Sequence, residues 1–206
     1  NMLTLNNKKM SKSLDNNILP DELFSGENEF FSKPYEPNTI RFFFLQAHYR
    51  NELDISEDAI QASETGFKRL VEMIDRLKNI EVSSNNNDDL LSQIKDWEKN
   101  CFDCLDDDFN SPMLIAEIFN ASKLIAQIEK DGNAGQRDRD YFLRLFDTLL
   151  NNILGIDYSK STSDDDSILK ILLNIRDEAR VKKDFPLSDS IRDKLNKIGV
   201  KINDKD

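Results

Sequence analysis

The chain has 206 residues, 33% charged and 38% hydrophobic, with six Gly, five Pro and a formal net charge of −11. This length suits one sizeable core, or one bundle with a smaller appendage, and the balance favours a helix-rich soluble protein over a sandwich or barrel. No apolar run approaches the roughly 20 residues of a membrane span, and Asn1-Met2-Leu3-Thr4-Leu5 lacks the basic start and long apolar stretch of a signal peptide, so a cytoplasmic protein is expected.

The negative charge is uneven. From Ile168 to Asp206, ten Lys and Arg stand against seven Asp and Glu, whereas residues 1–167 hold 18 cations and 32 anions. Phosphate binding follows local cation density rather than total charge. The C-terminal stretch is therefore the better place for a polyanion contact, although ordinary solvated helix faces would give the same pattern.

In chain order, residues 1–20 read as polar and irregular around a lysine-rich tract. Pro37 starts a helix to about Tyr49, because its ring suits a first helical turn. Its run Ile40-Arg41-Phe42-Phe43-Phe44-Leu45 is apolar enough for deep burial, with Phe42 to Phe44 read as packing. Ser56 offers an N-cap with Glu57 and Asp58 in the first turn. Ile60, Ser63, Phe67, Leu70, Ile74 and Leu77 then recur at spacings of three and four, the stripe of an amphipathic helix. After a polar loop at 83–89, a third helix runs from about Leu90 to Leu105. Asp106 to Pro112 forms the clearest boundary, with Asn110 or Ser111 as cap and Pro112 in the first turn. The stripe Ile115, Ile118, Phe119, Ile125 and Ile128 reaches Gly132. Tyr141 to Leu154 makes a further helix that Gly155 closes as a C-cap. Residues 157–167, rich in Ser, Thr and Asp, read as a linker. Helices near 167–183 and 187–198 follow, and Val200-Lys201-Ile202 could be a short strand. The expected fold is mainly α: an antiparallel helix bundle with a small C-terminal helical or α+β unit.

Cys101 and Cys104 form a CxxC. A zinc site needs about four N or S ligands, and His48 is the sole histidine with no second Cys pair. At i and i+3 of a helix, the two thiols are expected to pack on one face. No metal site is expected in this chain, and Trp97 is read as core.

Lys9-Met10-Ser11-Lys12-Ser13 is the compact chemical signal. Formation of an adenylate attacks the α-phosphate of ATP, and charge builds on the phosphate oxygens in the transition state. Ammonium groups closing over those oxygens stabilise that state more than the ground state. Lys9 and Lys12 are spaced to face one phosphate chain, and Ser11 and Ser13 could add hydrogen bonds. Lysine and serine are also common in surface loops, so five residues alone are a weak pattern.

Lys8-Lys9-Met10-Ser11-Lys12-Ser13-Leu14-Asp15-Asn16 resembles the signature loop of class I aminoacyl-tRNA synthetases. Arg41 to Arg50 with Leu53 and Ser56 is similar to the segment that follows this loop in cysteinyl-tRNA synthetases. Asp107-Asp108-Phe109-Asn110-Ser111 resembles an acidic helix start of that family. A fourth block covers Ala179-Arg180, Lys183-Asp184-Phe185, Ser188-Asp189, Ile191-Arg192-Asp193, Leu195 and Gly199. The four blocks occur in the family's order over nearly the whole chain.

The resemblance implies that Lys12 contacts ATP, with Lys9 supporting it and Met10, Ser11 and Ser13 shaping the loop. It implies a loop and connecting segment over 1–55, a tRNA-binding bundle over 56–156, a linker over 157–166, and a basic anticodon-recognition unit over 167–206. Arg50, Arg180, Lys182, Lys183 and Arg192 are the tRNA candidates, since phosphate and base recognition favour clustered cations and guanidinium forks. The partners implied are cysteine, ATP with Mg2+, and tRNA(Cys), in a monomer with no membrane association. Asp15 stands where the family commonly has Gly, and Ser111 where it commonly has Thr. The family's His-x-Gly-His motif does not occur, and its cysteine-selecting Zn2+ ligands are expected in a missing catalytic domain. The chain is accordingly expected to be the C-terminal part of a cysteine–tRNA ligase, inactive alone. Two alternatives are a non-enzymatic helical tRNA-binding module, which would not need Lys9 to Ser13, and a tRNA-free ligase, which would have little use for the helical region and basic tail.

Overall fold

The computed structural model describes residues 3–11, 16–158, 172, 174–176, 178–180 and 184–197. The chain divides into two compact units, residues 1–158 and 159–206.

The first unit opens not with irregular chain but with a β-hairpin. Strands β1 (Leu3–Leu5) and β2 (Lys8–Lys9) pair antiparallel, with Leu5 opposite Lys8. The two-residue turn between them places Asn6 and Asn7 at φ 52° and 61°. Positive φ at both turn positions gives the twist that flanking strands require, and Asn tolerates it better than most residues. A third strand, β3 (Leu53–Ile55), runs parallel beside β1, with Leu3, Thr4 and Leu5 opposite Leu53, Asp54 and Ile55. The sheet order is β2-β1-β3. Its central strand finds a partner fifty residues away, which no local pattern in residues 1–20 reveals.

Between the strands lie α1 (Pro20–Ser25) and α2 (Pro37–Leu45). At the start of α1, the Glu22 carboxylate accepts from the Leu19 N–H at 2.7 Å, half of a capping box. The helix α2 is a wall shared by two cores. Ile40 and Phe43 pack with Leu5, Ile18, Leu23 and Ile55 under the sheet, while Phe42 packs with the bundle against Phe67, ring centroids 5.5 Å apart. Phe44 is 39% exposed, contrary to the expectation that all three phenylalanines are buried. Three consecutive helical residues span about 200° of arc, so a helix packed on two sides still leaves one of them to solvent.

The bundle consists of α3 (Glu57–Lys78), α4 (Asp88–Asp106), α5 (Ser111–Asp131) and α6 (Gln136–Asp147). The stripe on α3 is buried throughout, including Ser63. Ser56 takes the N-cap position, but its side chain makes no capping bond. Instead the Glu57 carboxylate accepts from both the backbone N–H and the hydroxyl of Ser32. Trp97 is a core residue, 5.1 Å from Phe142 and 5.2 Å from Phe146 between ring centroids, and its indole N–H donates to Glu117 O at 2.8 Å. Asn110 caps α5, its Oδ1 accepting from the Met113 N–H. A π-helical stretch, Thr148–Leu154, continues α6 and closes at Gly155 with φ 65°. Arg41 Nε donates to Leu154 O at 2.6 Å, and Asn38 and Asp157 exchange a pair of bonds, so α2 is tied to this terminus.

In the second unit, α7 (Phe185–Lys197) is capped by Asp184, whose Oδ1 accepts from the Leu187 N–H. Ala179, Ser188, Ile191 and Leu195 are buried. The possible strand at 200–202 lies outside the described residues.

Candidate functional site

The lysine tract emerges from the sheet rather than from a free loop. Its described part, Lys9, Met10 and Ser11, continues the β2 side of the hairpin. The Met10 N–H donates to Leu3 O at 3.3 Å, and Met10 packs against the core beneath the sheet. Alternation along a strand then sends Lys9 to the opposite face from Met10, where it is exposed. Ser11 and Asn16 exchange backbone bonds of 3.0 and 3.2 Å. The Asn16 side-chain amide donates to Lys8 O and Lys9 O at 3.4 and 3.2 Å. The segment is thus pinched at its base, with Lys12 and Ser13 outside the described residues.

The opposite end of the hairpin is held by Asp54. Its Oδ1 accepts from the Thr4 hydroxyl and from the Asn7 N–H, both at 2.6 Å, while the Asn6 N–H donates to Ile55 O at 3.1 Å. Sequence reasoning missed Thr4 and Asp54, and named Asn16 only within the tract, without its anchoring role. The one available signal was Asp54 itself, a residue type depleted in strands between two apolar neighbours. Chemically, the assembly presents an exposed cation beside ordered backbone on a fixed ribbon, which suits a polyphosphate.

Arg50 lies in a different cluster, in the connection from α2 to β3. Its Nη2 is 2.7 Å from Asp108 Oδ2, and its Nε donates to the Tyr49 hydroxyl at 3.1 Å. That hydroxyl donates to Asp108 Oδ1 at 2.7 Å, and the His48 ring stacks on Tyr49. The Tyr49 hydroxyl and Asp108 hold the Arg50 guanidinium above its ordinary pKa. Asp108 and Phe109 both take positive φ, 53° and 52°, a costly conformation for two consecutive non-Gly residues. The cluster pins the α2–β3 connection to the α4–α5 turn. It leaves Arg50 engaged by an acid, so a phosphate would have to compete for it.

Arg180 is exposed in the second unit, and Arg192 pairs with Asp189 at 3.1 Å. Lys182 and Lys183 lie outside the described residues. Among the described residues no group of three His, Cys, Asp or Glu could hold a metal ion, and no helix is long and apolar enough to cross a membrane. Burial pushes the Cys101 thiol well above its ordinary range and raises Cys104 as well. Both are free thiols, Cys101 buried and Cys104 against the bundle core. Among the described residues the pair has no third ligand beside it, and its position on the inner side of α4 suits packing.

The family of class I (C) tRNA synthetase catalytic domains matches residues 1–65. Over 99% of its length, the chain is 38% identical to the cysteine–tRNA ligase of Bacteroides fragilis and 37% identical to that of Porphyromonas gingivalis, covering 42% of each. The cysteine–tRNA ligase of Chlorobaculum tepidum is 37% identical over 99% of this chain and 41% of its own length. The chain thus spans about two fifths of the length of the curated relatives it matches.

Proposed function

We propose that this chain, a homologue of cysteine–tRNA ligases along 99% of its length, forms part of an enzyme that activates cysteine with ATP and transfers it to tRNA(Cys). The observation that carries this reading is the hairpin. It holds Lys9 exposed on a fixed ribbon and pinches the tract between Ser11 and Asn16. Lys9 and Lys12 would meet the phosphates of ATP, entering as its Mg2+ complex, and would stabilise the charge that builds on their oxygens as the cysteine carboxylate attacks the α-phosphate. Met10 anchors the tract to the core, and Ser11 and Ser13 offer hydrogen bonds.

In this reading, residues 1–55 carry the loop and its connection to the bundle. Residues 56–156 form the tRNA-binding bundle, 157–166 link, and 167–206 approach the anticodon region through Arg180, Lys182, Lys183 and Arg192. Among the described residues no group of three His, Cys, Asp or Glu would hold a zinc ion, and no step here is routed through one. The chain by itself would not activate cysteine.

The test is cysteine-dependent ATP–pyrophosphate exchange in the full-length polypeptide containing this chain. Lys12→Ala is expected to lower the exchange rate by about a hundredfold with cysteine affinity nearly unchanged. An unaltered rate removes Lys12 from the mechanism. Exchange by residues 1–206 alone would refute the claim of inactivity.

A further inference from the structure

We infer that Asp54 is a positioning residue for the lysine tract, fixing the hairpin whose strand β2 carries Lys8 and Lys9. The inference rests on the reading above only for its catalytic consequence. Its geometric basis is independent.

The Asn6-Asn7 turn suits the twist of a hairpin, but β1 and β2 contribute only five residues between them. Isolated hairpins of this size are marginal in water. Beyond the ladder with β3 and the Asn6 N–H to Ile55 O bond, this one is tied by a single carboxylate oxygen on the neighbouring parallel strand. Asp54 Oδ1 takes the Thr4 hydroxyl from within the sheet and the Asn7 N–H from the turn, both at 2.6 Å. Charge-assisted bonds of this kind are short and directional. The Asn7 bond lies immediately before Lys8, so it acts at the point where the ribbon's direction is decided. From the far end, the Asn16 amide holds the carbonyls of Lys8 and Lys9. The two lysines are therefore clamped on both sides through their backbone, leaving their side chains exposed.

An aspartate in a strand breaks the local propensity rule, and such breaks are expected where position matters more than stability. Thr4 is itself buried. Without Asp54 its hydroxyl would lose this partner, and the turn would be held to β3 by the Asn6 N–H to Ile55 O bond.

The experiment uses Asp54→Ala, Asp54→Asn and Thr4→Val in the full-length polypeptide. Amide hydrogen exchange is read at Asn7 and Met10 against Ile60 and Leu114, and pyrophosphate exchange is read in parallel. Asp54→Ala is expected to speed exchange at Asn7 and Met10 by about tenfold, with Ile60 and Leu114 unchanged. Its kcat for pyrophosphate exchange should fall about tenfold to a hundredfold, the size of effect an ångström of misplacement produces, with the KM for cysteine within about twofold. Asp54→Asn, which keeps an acceptor oxygen, should recover part of both losses. Faster amide exchange everywhere would mean a merely structural role and would overturn the inference. So would unchanged exchange at Asn7 together with unchanged kcat. If the unsubstituted polypeptide shows no cysteine-dependent pyrophosphate exchange, the proposed function fails, and the amide pattern alone decides the role of Asp54.

Discussion

Asp138 is fully buried, and its replacement gives the sharpest test of how the bundle is held. Its Oδ2 accepts from two backbone donors, the Gly135 N–H at 3.1 Å and the Asn87 N–H at 2.7 Å. The first starts α6 and the second immediately precedes α4, so one carboxylate oxygen joins the N-termini of two helices. Its Oδ1 meets Arg137 Nε and Nη2 at 3.1 and 3.0 Å. Asp138→Ala leaves two backbone donors without a partner at about 1–3 kcal/mol each. The Arg137 guanidinium is half exposed and still reaches Asp88, so its loss adds little. A total near 3 kcal/mol corresponds to a fall of about 6–12 °C in Tm for a protein of this size. Asp138→Asn can turn its carbonyl oxygen toward both backbone donors but sets its NH2 against the Arg137 guanidinium, so it should cost about 1–2 kcal/mol, less than Ala. Thermal and urea melts of both variants, followed by circular dichroism at 222 nm, measure the difference. If Asn destabilises as much as Ala, or if Ala costs under about 1 kcal/mol, the assignment of stability to the shared oxygen is refuted.

Other consequences follow from single sites. Hydrogen bonds from Ser32 hold Glu57 below the ordinary carboxylate range. A depressed folded pKa contributes stability above the unfolded value of about 4.3 and loses it as pH falls through the folded value; Ser32→Ala should raise the Glu57 pKa read by NMR titration. Arg76 depresses Glu129 in the same way across the α3–α5 contact, and Arg76→Gln should bring it back toward the usual range. Cys101 should resist iodoacetamide in the native protein at pH 8 and react once urea unfolds it, because burial keeps it protonated; native alkylation at the unfolded rate would contradict the packing. Gly155→Ala should cost about 1 kcal/mol or more, since φ is 65° and a Cβ there would lie 2.6 Å from Arg41 Nη2; a melt unchanged from the parent would show that the terminus tolerates the strain.

Helical stripes were legible because burial repeats at the helical period. Ile60 to Leu77 on α3 and the start of α5, with Asn110 as one of two cap candidates, were readable from spacing and residue type. The hairpin was not, because its turn is Asn-Asn rather than the Asn-Gly that marks such turns, and its central strand pairs with residues 53–55. For the candidate site, the tract itself was visible as a motif, but its anchors were not. Asp54 and Asn16 matter through contacts with Asn7, Thr4 and two carbonyls, and nothing in the order of residues announces a backbone contact. Phe44 escaped for a different reason: hydrophobicity cannot say which of three adjacent rings a two-sided helix must leave outside. The π-helical stretch at 148–154 has no signature in its residues that we can identify.

The position of α2 has a mechanical meaning. Successive residues on a helix are about 100° apart, so Phe42 and Phe43 grip two different cores as adjacent teeth on one axle. Arg41 and Asn38 add a tether from the same helix to the backbone at 154 and 157. Packed interiors move between discrete arrangements rather than deforming smoothly. A small rotation of α2 would unseat Phe42 from the bundle and Phe43 from beneath the sheet in the same motion. Torque applied to the long helices thus reaches, through Phe42 and Phe43, the core against which the sheet carrying Lys8 and Lys9 is packed.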